Sequence, residues 1–92
     1  MVRLRWTGKA ISDLVRIHDF LAAVNPGAAA RAVQMLTAAP DRLLEHPRLG
    51  PRVEDLGTRE VRRLIVGPYE IRYEIEGSMI HIVRLWHGRQ AR

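Results

Sequence analysis

The sequence predicts an α+β domain in which a helical hairpin packs on one face of a mostly antiparallel four-stranded sheet. An alternating apolar segment at the N-terminus predicts one strand, and the two amphipathic segments that follow predict the helices. Three runs rich in Val, Ile, Tyr and Trp come next, cut by Gly67-Pro68 and by Glu76-Gly77-Ser78, as is typical of strands joined by tight turns. The element order is therefore β-α-α-β-β-β. The 92 residues form one domain, residues 1–92, with a thin core.

The first strand leads directly into the first helix. Its apolar residues alternate with arginines, with the period of a half-buried strand: Val2, Leu4 and Trp6. Thr7 can then cap the N-terminus of a helix over residues 8–24. The apolar residues of this helix recur at spacings of three and four: Ala10, Leu14, Ile17, Leu21 and Val24. Asp13 lies off that stripe, on the polar side of an amphipathic helix.

The second helix begins at Asn25-Pro26, because asparagine caps helices well and proline is preset for the first helical position. Its buried stripe consists of Ala29, Ala32, Val33, Leu36 and Leu43. Pro40 removes a backbone donor inside this pattern, so we expect a kink or break near Ala38 to Pro40. Residues 46–51 then form a loop rich in helix-breaking residues.

The last two strands have different apolar patterns. In the middle strand of the meander, apolar and charged residues alternate: Tyr69, Ile71, Tyr73 and Ile75 point one way, and Glu70, Arg72, Glu74 and Glu76 the other. One face of that strand is therefore buried, and the other is exposed to solvent. The last strand, Met79 to Trp86, is apolar on both sides, so we predict a central strand buried on both faces. The side on which the first strand pairs stays open.

Arginine dominates the charge of the chain. There are 15 Lys+Arg against 10 Asp+Glu, the formal net charge is +5, and Lys9 is the only lysine. This excess favours an anionic partner, either a nucleic acid or an acidic protein. The chain has no cysteine, which excludes disulfides and thiolate metal sites, and no apolar run reaches the roughly 20 residues that span a bilayer. We therefore expect a cytoplasmic protein that does not enter the membrane.

The residue types used in catalysis form no recognisable motif. The four histidines share no metal-ligand spacing, and no serine or threonine lies in a nucleophile motif. We therefore expect neither a metal nor a cofactor. His87 is the best candidate for acid–base chemistry, because it follows the last strand at the start of the basic tail. Its other interpretation is a strand-end residue that orders the tail through a hydrogen bond.

Arginines are concentrated towards the C-terminus: Arg59, Arg62, Arg63, Arg72, Arg84, Arg89 and Arg92. Together with Tyr69, Tyr73 and Trp86, they could grip a phosphate backbone and stack bases. The same residues could dock an acidic protein segment. A third possibility is that glutamates on neighbouring strands neutralise several of these arginines.

A set of ordered motifs carries a resemblance to a known family. They are the element order, Asn25-Pro26, His46-Pro47-Arg48-Leu49-Gly50, Arg59-Glu-Val-Arg-Arg63, Gly67-Pro-Tyr-Glu-Ile-Arg-Tyr73 and Leu85-Trp-His-Gly-Arg-Gln90. Over almost its whole length the chain resembles the RelE/ParE family of toxins from bacterial toxin–antitoxin pairs. The resemblance implies the RelE/ParE toxin fold and a cytoplasmic toxin that a small antitoxin wraps and silences. It also implies one of two activities, because RelE-like members cleave mRNA on the ribosome and ParE-like members poison DNA gyrase.

The sequence departs from the RelE-like pattern where a nuclease needs it. Glu70 stands where that branch has an arginine that stabilises the cleaved phosphate, and a carboxylate would repel the developing charge. The preceding strand has Arg62 and Arg63 but no lysine, and no tyrosine follows Arg89. The segment Trp86 to Gln90 and the strand pattern of Tyr69, Ile71 and Tyr73 look more like the ParE branch.

We therefore favour a ParE-like toxin of a plasmid-stabilisation or stress module that inhibits DNA gyrase and needs no catalytic residue. One alternative is a RelE-like mRNA endonuclease that uses Arg63, His87 and Arg89, and another is a non-toxic relic that only binds antitoxin. The residues expected to bind the target are Arg62, Arg72, Tyr73, Trp86, His87, Arg89 and Arg92. A ParD-like antitoxin is expected to lay an acidic segment on the helical hairpin, at Leu14, Leu21, Val33 and Leu36.

Overall fold

The elements of the fold follow the predicted order. A computed structural model describes residues 1–53 and 57–88 of the chain. Its elements are β1 (Arg3–Trp6), α1 (Gly8–Ala22), α2 (Pro26–Ala38), β2 (Glu60–Val66), β3 (Tyr69–Glu76) and β4 (Met79–His87). Within the described residues, no helix is long and apolar enough to cross a membrane.

Both helices begin at the predicted capping residues. Thr7 Oγ1 accepts a hydrogen bond from the Ala10 N–H at 3.1 Å, and Asn25 Oδ1 accepts one from the Ala28 N–H at 3.1 Å. These bonds satisfy N–H groups that have no partner inside the first turn of a helix. The first helix ends at Ala22, slightly before the predicted end at residue 24.

A change of helix type follows α2. The α-helix ends at Ala38, and the chain continues as a 3-10 helix, Ala39–Leu44, with Pro40 in its first turn. Proline has no N–H to donate and its ring clashes with the preceding turn, so it ends the regular α-helical pattern. The break predicted near this proline is confirmed, and Leu43 remains fully buried beyond it.

Strand β4 lies inside the sheet, whose strand order is β1-β4-β3-β2. Strands β2, β3 and β4 pair antiparallel, whereas β1 pairs with β4 in parallel, with Leu4 opposite Ile80. The sheet is therefore mostly antiparallel, as predicted, and β1 takes the free side of β4. Gly67 and Gly77, with φ angles of 57° and 60°, provide the left-handed backbone that the two tight turns need.

A β-bulge in β4 explains why this strand is apolar on both sides. The pairing with β3 passes from Ile82 directly to Arg84, which leaves Val83 as the extra residue. The bulge turns Leu85 to the same side as Ile82, and both are buried in the core. Val83 and Arg84 are only half-buried. The prediction of a central strand is confirmed, but the prediction that it is buried on both faces is wrong.

The two helices cover one face of the sheet, which we call the core face. Its buried residues include Leu64, Ile71, Tyr73, Ile80 and Leu85, which form one cluster with Ala10, Ala32, Leu36 and Leu43 of the helical segment. Side chains alternate between the faces along each strand. The opposite face, which we call the outer face, therefore carries Arg63, Ile65, Glu70, Arg72, Arg84 and Trp86.

Candidate functional site

Three arginines lie side by side across the outer face. Arg63 on β2 is opposite Arg72 on β3, and Arg72 is opposite Arg84 on β4. We call these three residues the arginine row. Neighbouring strands are about 4.8 Å apart, so the row crosses about 10 Å of the sheet. Like charges directly opposite one another destabilise a sheet, and the row therefore requires compensation from nearby carboxylates.

Glu70 supplies the first compensating carboxylate. Its Oε2 accepts a hydrogen bond from Arg72 Nε at 3.0 Å. The prediction that Glu70 is exposed to solvent is wrong. The Glu70 side chain is 0% exposed and lies between Ile65 on β2 and Trp86 on β4. A charge pair shielded from water interacts more strongly than one at the surface.

Asp13 on α1 supplies the second carboxylate. Although it lies off the apolar stripe, it is only 1% exposed. Its carboxylate accepts hydrogen bonds from Arg84 Nε at 2.8 Å, from the Arg16 guanidinium at 2.8 Å and from the Leu85 N–H at 2.9 Å. Burial alone raises the pKa of Asp13, but the bonds from Arg84 and Leu85 and the two arginine charges hold it below its ordinary value.

The sheet edge explains why a carboxylate is buried here. Strand β1 ends at Trp6, so the edge of β4 beyond Ile82 has no neighbouring strand on that side. Thr7 Oγ1 donates to the Val83 carbonyl at 3.3 Å, and Asp13 accepts from the next outward N–H. The loop and helix that follow β1 thus replace the missing strand, since buried backbone groups need partners.

Trp86 connects the second and third arginines of the row. The Arg72 guanidinium lies 4.9 Å from the centre of the Trp86 ring, and that of Arg84 lies 5.8 Å from it. Both distances are within the range of cation–π attraction. The indole Nε1 is buried without a hydrogen-bond partner in the described part of the chain. An unpaired buried donor costs about 1–3 kcal/mol. Such donors are therefore rare in folded proteins.

A groove of about 470 Å³ lies between α1 and the end of the sheet. We call it the α1 groove, and its lining residues are Asp13, Arg16, Ile17, Phe20, Leu21, Tyr69, Leu85 and His87. Phe20 is 76% exposed at its rim. An aromatic side chain left in solvent beside an apolar groove is typical of a surface that a partner covers.

A family model of the ParE toxin of the type II toxin–antitoxin system, parDE, matches residues 4–92. The chain belongs to this family. Toxin RelE2 of Caulobacter vibrioides is 39% identical over 89 residues, which cover 96% of this chain and 97% of that protein. The predicted membership of the RelE/ParE toxins is therefore confirmed.

Solved structures of toxins have the same fold. The chromosomal ParDE TA system from P. aeruginosa contains a chain that is 29% identical and superposes with a TM-score of 0.80, covering 95% of this chain and 96% of that one. A chain of the archaeal RelE-RelB complex from Pyrococcus horikoshii OT3 shares the fold at 16% identity, with a TM-score of 0.67 and 98% coverage of both chains. The predicted α+β toxin fold is confirmed.

Two residues of this ParE-family toxin that were predicted to bind the target instead hold a loop. Tyr73 is 0% exposed, and its hydroxyl donates to the Pro47 carbonyl at 2.9 Å and accepts from the Gly50 N–H at 3.0 Å. Burial raises the pKa of Tyr73. Arg62, with a side chain 16% exposed, donates to the Gly50 carbonyl at 2.8 Å and pairs with Glu60 at 2.9 Å. We therefore withdraw Tyr73 and Arg62 from the target-binding surface.

The predicted antitoxin-binding residues of this toxin differ in exposure. Leu36 is 0% exposed in the core, so its side chain offers no surface to an antitoxin in this structure. Leu14 and Val33 are half-buried, and Leu21 lines the α1 groove. The sequence reasoning missed Phe20, although this single phenylalanine lies off the apolar stripe of its helix, which could have marked it as exposed.

The residues of the nuclease alternative are not on one face. His87 is opposite Tyr69 and contacts its ring edge-on, with ring centres 5.6 Å apart, so it lies at the α1 groove. Arg63 is on the outer face. The structure therefore does not bring Arg63 and His87 together. Arg89 and Arg92 lie outside the described residues.

Proposed function

We propose that this type II toxin stops growth by binding and inhibiting DNA gyrase rather than by cutting RNA. The observation that carries the proposal is the buried Glu70, which pairs with Arg72 at the centre of the outer face. A ribonuclease must stabilise the negative charge that develops on the cleaved phosphate. A buried carboxylate that is hydrogen-bonded to Arg72, beside the arginine row, has the opposite effect. A toxin that acts by binding does not need that stabilisation.

The positions of the catalytic candidates also favour a binding toxin. General acid–base catalysis requires the base within hydrogen-bond reach of the reacting group, beside the residues that stabilise its charge. His87 lies at the α1 groove and Arg63 on the opposite side of the sheet. The relatives carry both RelE and ParE names, so their names do not distinguish between the two targets.

We further propose that a ParD-like antitoxin covers the α1 groove with an acidic amphipathic segment. The groove offers Ile17, Phe20 and Leu21 as an apolar floor and rim. Arg16, whose side chain is 65% exposed, lies beside them and can attract a carboxylate of the partner. The related P. aeruginosa structure is described as a ParDE TA system, which supports a partner of this kind. In this proposal the pair acts in the cytoplasm, as a plasmid-stabilisation or stress module.

Two assays on the purified toxin test this function. Plasmid supercoiling by gyrase should be blocked by the toxin and restored when the antitoxin is added first. Primer extension on mRNA from toxin-treated ribosomes should show no new cleavage sites. Codon-dependent cleavage together with normal supercoiling would establish the nuclease instead. A protein that neither slows growth nor affects either assay would be a non-toxic relic.

A further inference from the structure

We propose that the arginine row is a docking surface for an acidic segment of a protein, with Arg63 as its leading contact. This inference rests on the proposed function, because it assigns a surface and a partner chemistry to a toxin that acts by binding. The arginine row is the most unfavourable arrangement of charge on the outer face. Three arginines opposite one another work against sheet stability, and such local conflicts are expected mainly at functional sites.

The distribution of charge along the row selects Arg63. Arg72 is paired with Glu70, and Arg84 is paired with Asp13. Arg63 is exposed and makes no ion pair with any residue in the described ranges. A partner carboxylate therefore finds one uncompensated guanidinium at the β2 end of the row, and a charge-assisted bidentate contact is the arrangement that arginine forms best.

The same distribution disfavours a nucleic acid. Binding to a phosphate backbone draws its strength from several uncompensated cations that release counterions, and two members of the row are already neutralised. Binding of single strands also depends on aromatic rings on which bases stack. On the outer face, Trp86 already has two guanidinium groups over its ring, and Tyr69 and Tyr73 are buried on the core face.

The surroundings of Arg63 fit a protein partner. Ile65 is two residues further along the same strand and face, and it is 58% exposed. Arg72 uses its Nε for Glu70, and its two terminal nitrogens make no hydrogen bond in the part of the chain that the structure describes. Arginine donors beside an exposed apolar side chain are the usual composition of a protein–protein contact. An acidic segment with one apolar side chain would match this surface.

The test compares Arg63→Glu with Arg42→Glu in the full-length toxin. Arg42 is also exposed but lies on the 3-10 helix, away from the outer face, so it controls for the change in charge. Growth arrest, capture of purified gyrase and binding of a fluorescent 20-nucleotide oligo(dT) are measured for each variant. Antitoxin binding and melting temperature confirm that the variants fold, and Arg63→Ala repeats the test without a charge reversal.

We expect Arg63→Glu to reduce growth arrest and gyrase capture at least tenfold and Arg42→Glu to change them less than twofold. Oligo(dT) should bind weakly and to the same extent in both variants. If Arg63→Glu remained fully toxic, or if it weakened oligo(dT) binding as much as toxicity, the inference would be overturned. If the unsubstituted toxin did not capture gyrase, the proposed target would be wrong, and growth arrest by the two variants would still decide the role of the row.

Discussion

Asp13 on α1 accepts hydrogen bonds from Arg84 on β4 with both carboxylate oxygens. Arg84 Nε lies 2.8 Å from Asp13 Oδ2, and Arg84 Nη2 lies 3.3 Å from Asp13 Oδ1. The pair joins two segments that are 71 residues apart in the chain. On one side Asp13 lines the α1 groove, and on the other Arg84 completes the arginine row. One carboxylate therefore supports both surfaces of the toxin.

Asp13→Asn should destabilise the fold by about 2–4 kcal/mol, because it removes the buried negative charge that pairs with half-buried Arg84 and leaves the Leu85 N–H with a weaker acceptor. Urea denaturation at pH 7 measures this loss. Arg16→Ala is the matched control, since the Arg16 side chain is 65% exposed and its pairing should contribute less than about 1 kcal/mol.

The same substitution has a defined pH dependence. The bonds and charges around Asp13 outweigh its burial, so its pKa is lower in the folded state than in the unfolded chain. Such a carboxylate stabilises the fold above its unfolded pKa of about 4, and this contribution is lost as the pH falls through the folded pKa. The stability difference between the wild type and Asp13→Asn should therefore be full at pH 7 and shrink in acid. A difference that stayed constant into acid would contradict this account.

Tyr73→Phe should lower stability by about 1–3 kcal/mol and leave the proposed gyrase inhibition intact. The substitution removes the hydroxyl that bridges the Pro47 carbonyl and the Gly50 N–H, so two groups in a buried region lose a partner. Thermal denaturation and the supercoiling assay measure the two effects. Tyr69→Phe is the control, since no hydrogen bond of its hydroxyl is found within the described ranges. A stable Tyr73→Phe protein without activity would return Tyr73 to the target-binding surface.

Gly50→Ala should destabilise the toxin by at least about 2 kcal/mol, because the added methyl group has no space. A Cβ at this position would lie 2.0 Å from the Arg63 carbonyl oxygen, which belongs to a paired strand. Gly8→Ala is the control, because a Cβ there meets nothing within 4 Å. Equal melting temperatures for the two variants would show that the 47–50 loop can move away from β2 at little cost.

Local contacts made part of this structure predictable from the sequence. The caps at Thr7 and Asn25 bond to groups three residues away, so a short window of sequence contains both partners. The burial of Asp13 was not predictable in this way, because its partners Arg84 and Leu85 are far along the chain. The helical pattern placed Asp13 on the polar side of the helix, but Asp13 is buried, because the pattern carries no information about the uncovered sheet edge beside it.

The bulge in β4 limited the sequence reasoning in a second way. A period of two assigns side chains to faces only while the strand is regular, and one extra residue at Val83 exchanges the faces for the rest of the strand. This exchange places Arg84 and Trp86 on the outer face. The alternation in β3 was read correctly, yet the burial of Glu70 depends on its neighbours Ile65 and Trp86 on other strands.

Phe20→Ser should weaken antitoxin binding at least about tenfold and leave stability and toxicity nearly unchanged. Phe20 is 76% exposed at the rim of the α1 groove, so its ring contributes little to the core but offers apolar area to a partner. Val24→Ser, at a residue that is 86% exposed and outside the lining of the groove, controls for the loss of a surface apolar side chain. Titration of labelled antitoxin gives both affinities, and equal values would place the antitoxin elsewhere.

Glu70→Gln should make the toxin bind single-stranded DNA with a steeper dependence on salt. The substitution keeps the shape of the buried side chain and removes the charge that compensates Arg72, so one more cation of the row becomes available to phosphate. Each phosphate contact on a single strand contributes about 0.7 to the slope of log K against log salt concentration. The slope for a 20-nucleotide oligo(dT) should therefore increase by about 0.7 relative to the wild type.

Glu45→Gln makes the same change of charge at an exposed residue beyond the 3-10 helix and should leave the slope unchanged. An identical slope in all three proteins would mean that Glu70 does not control the charge of the outer face, and this carboxylate would then no longer disfavour a nuclease.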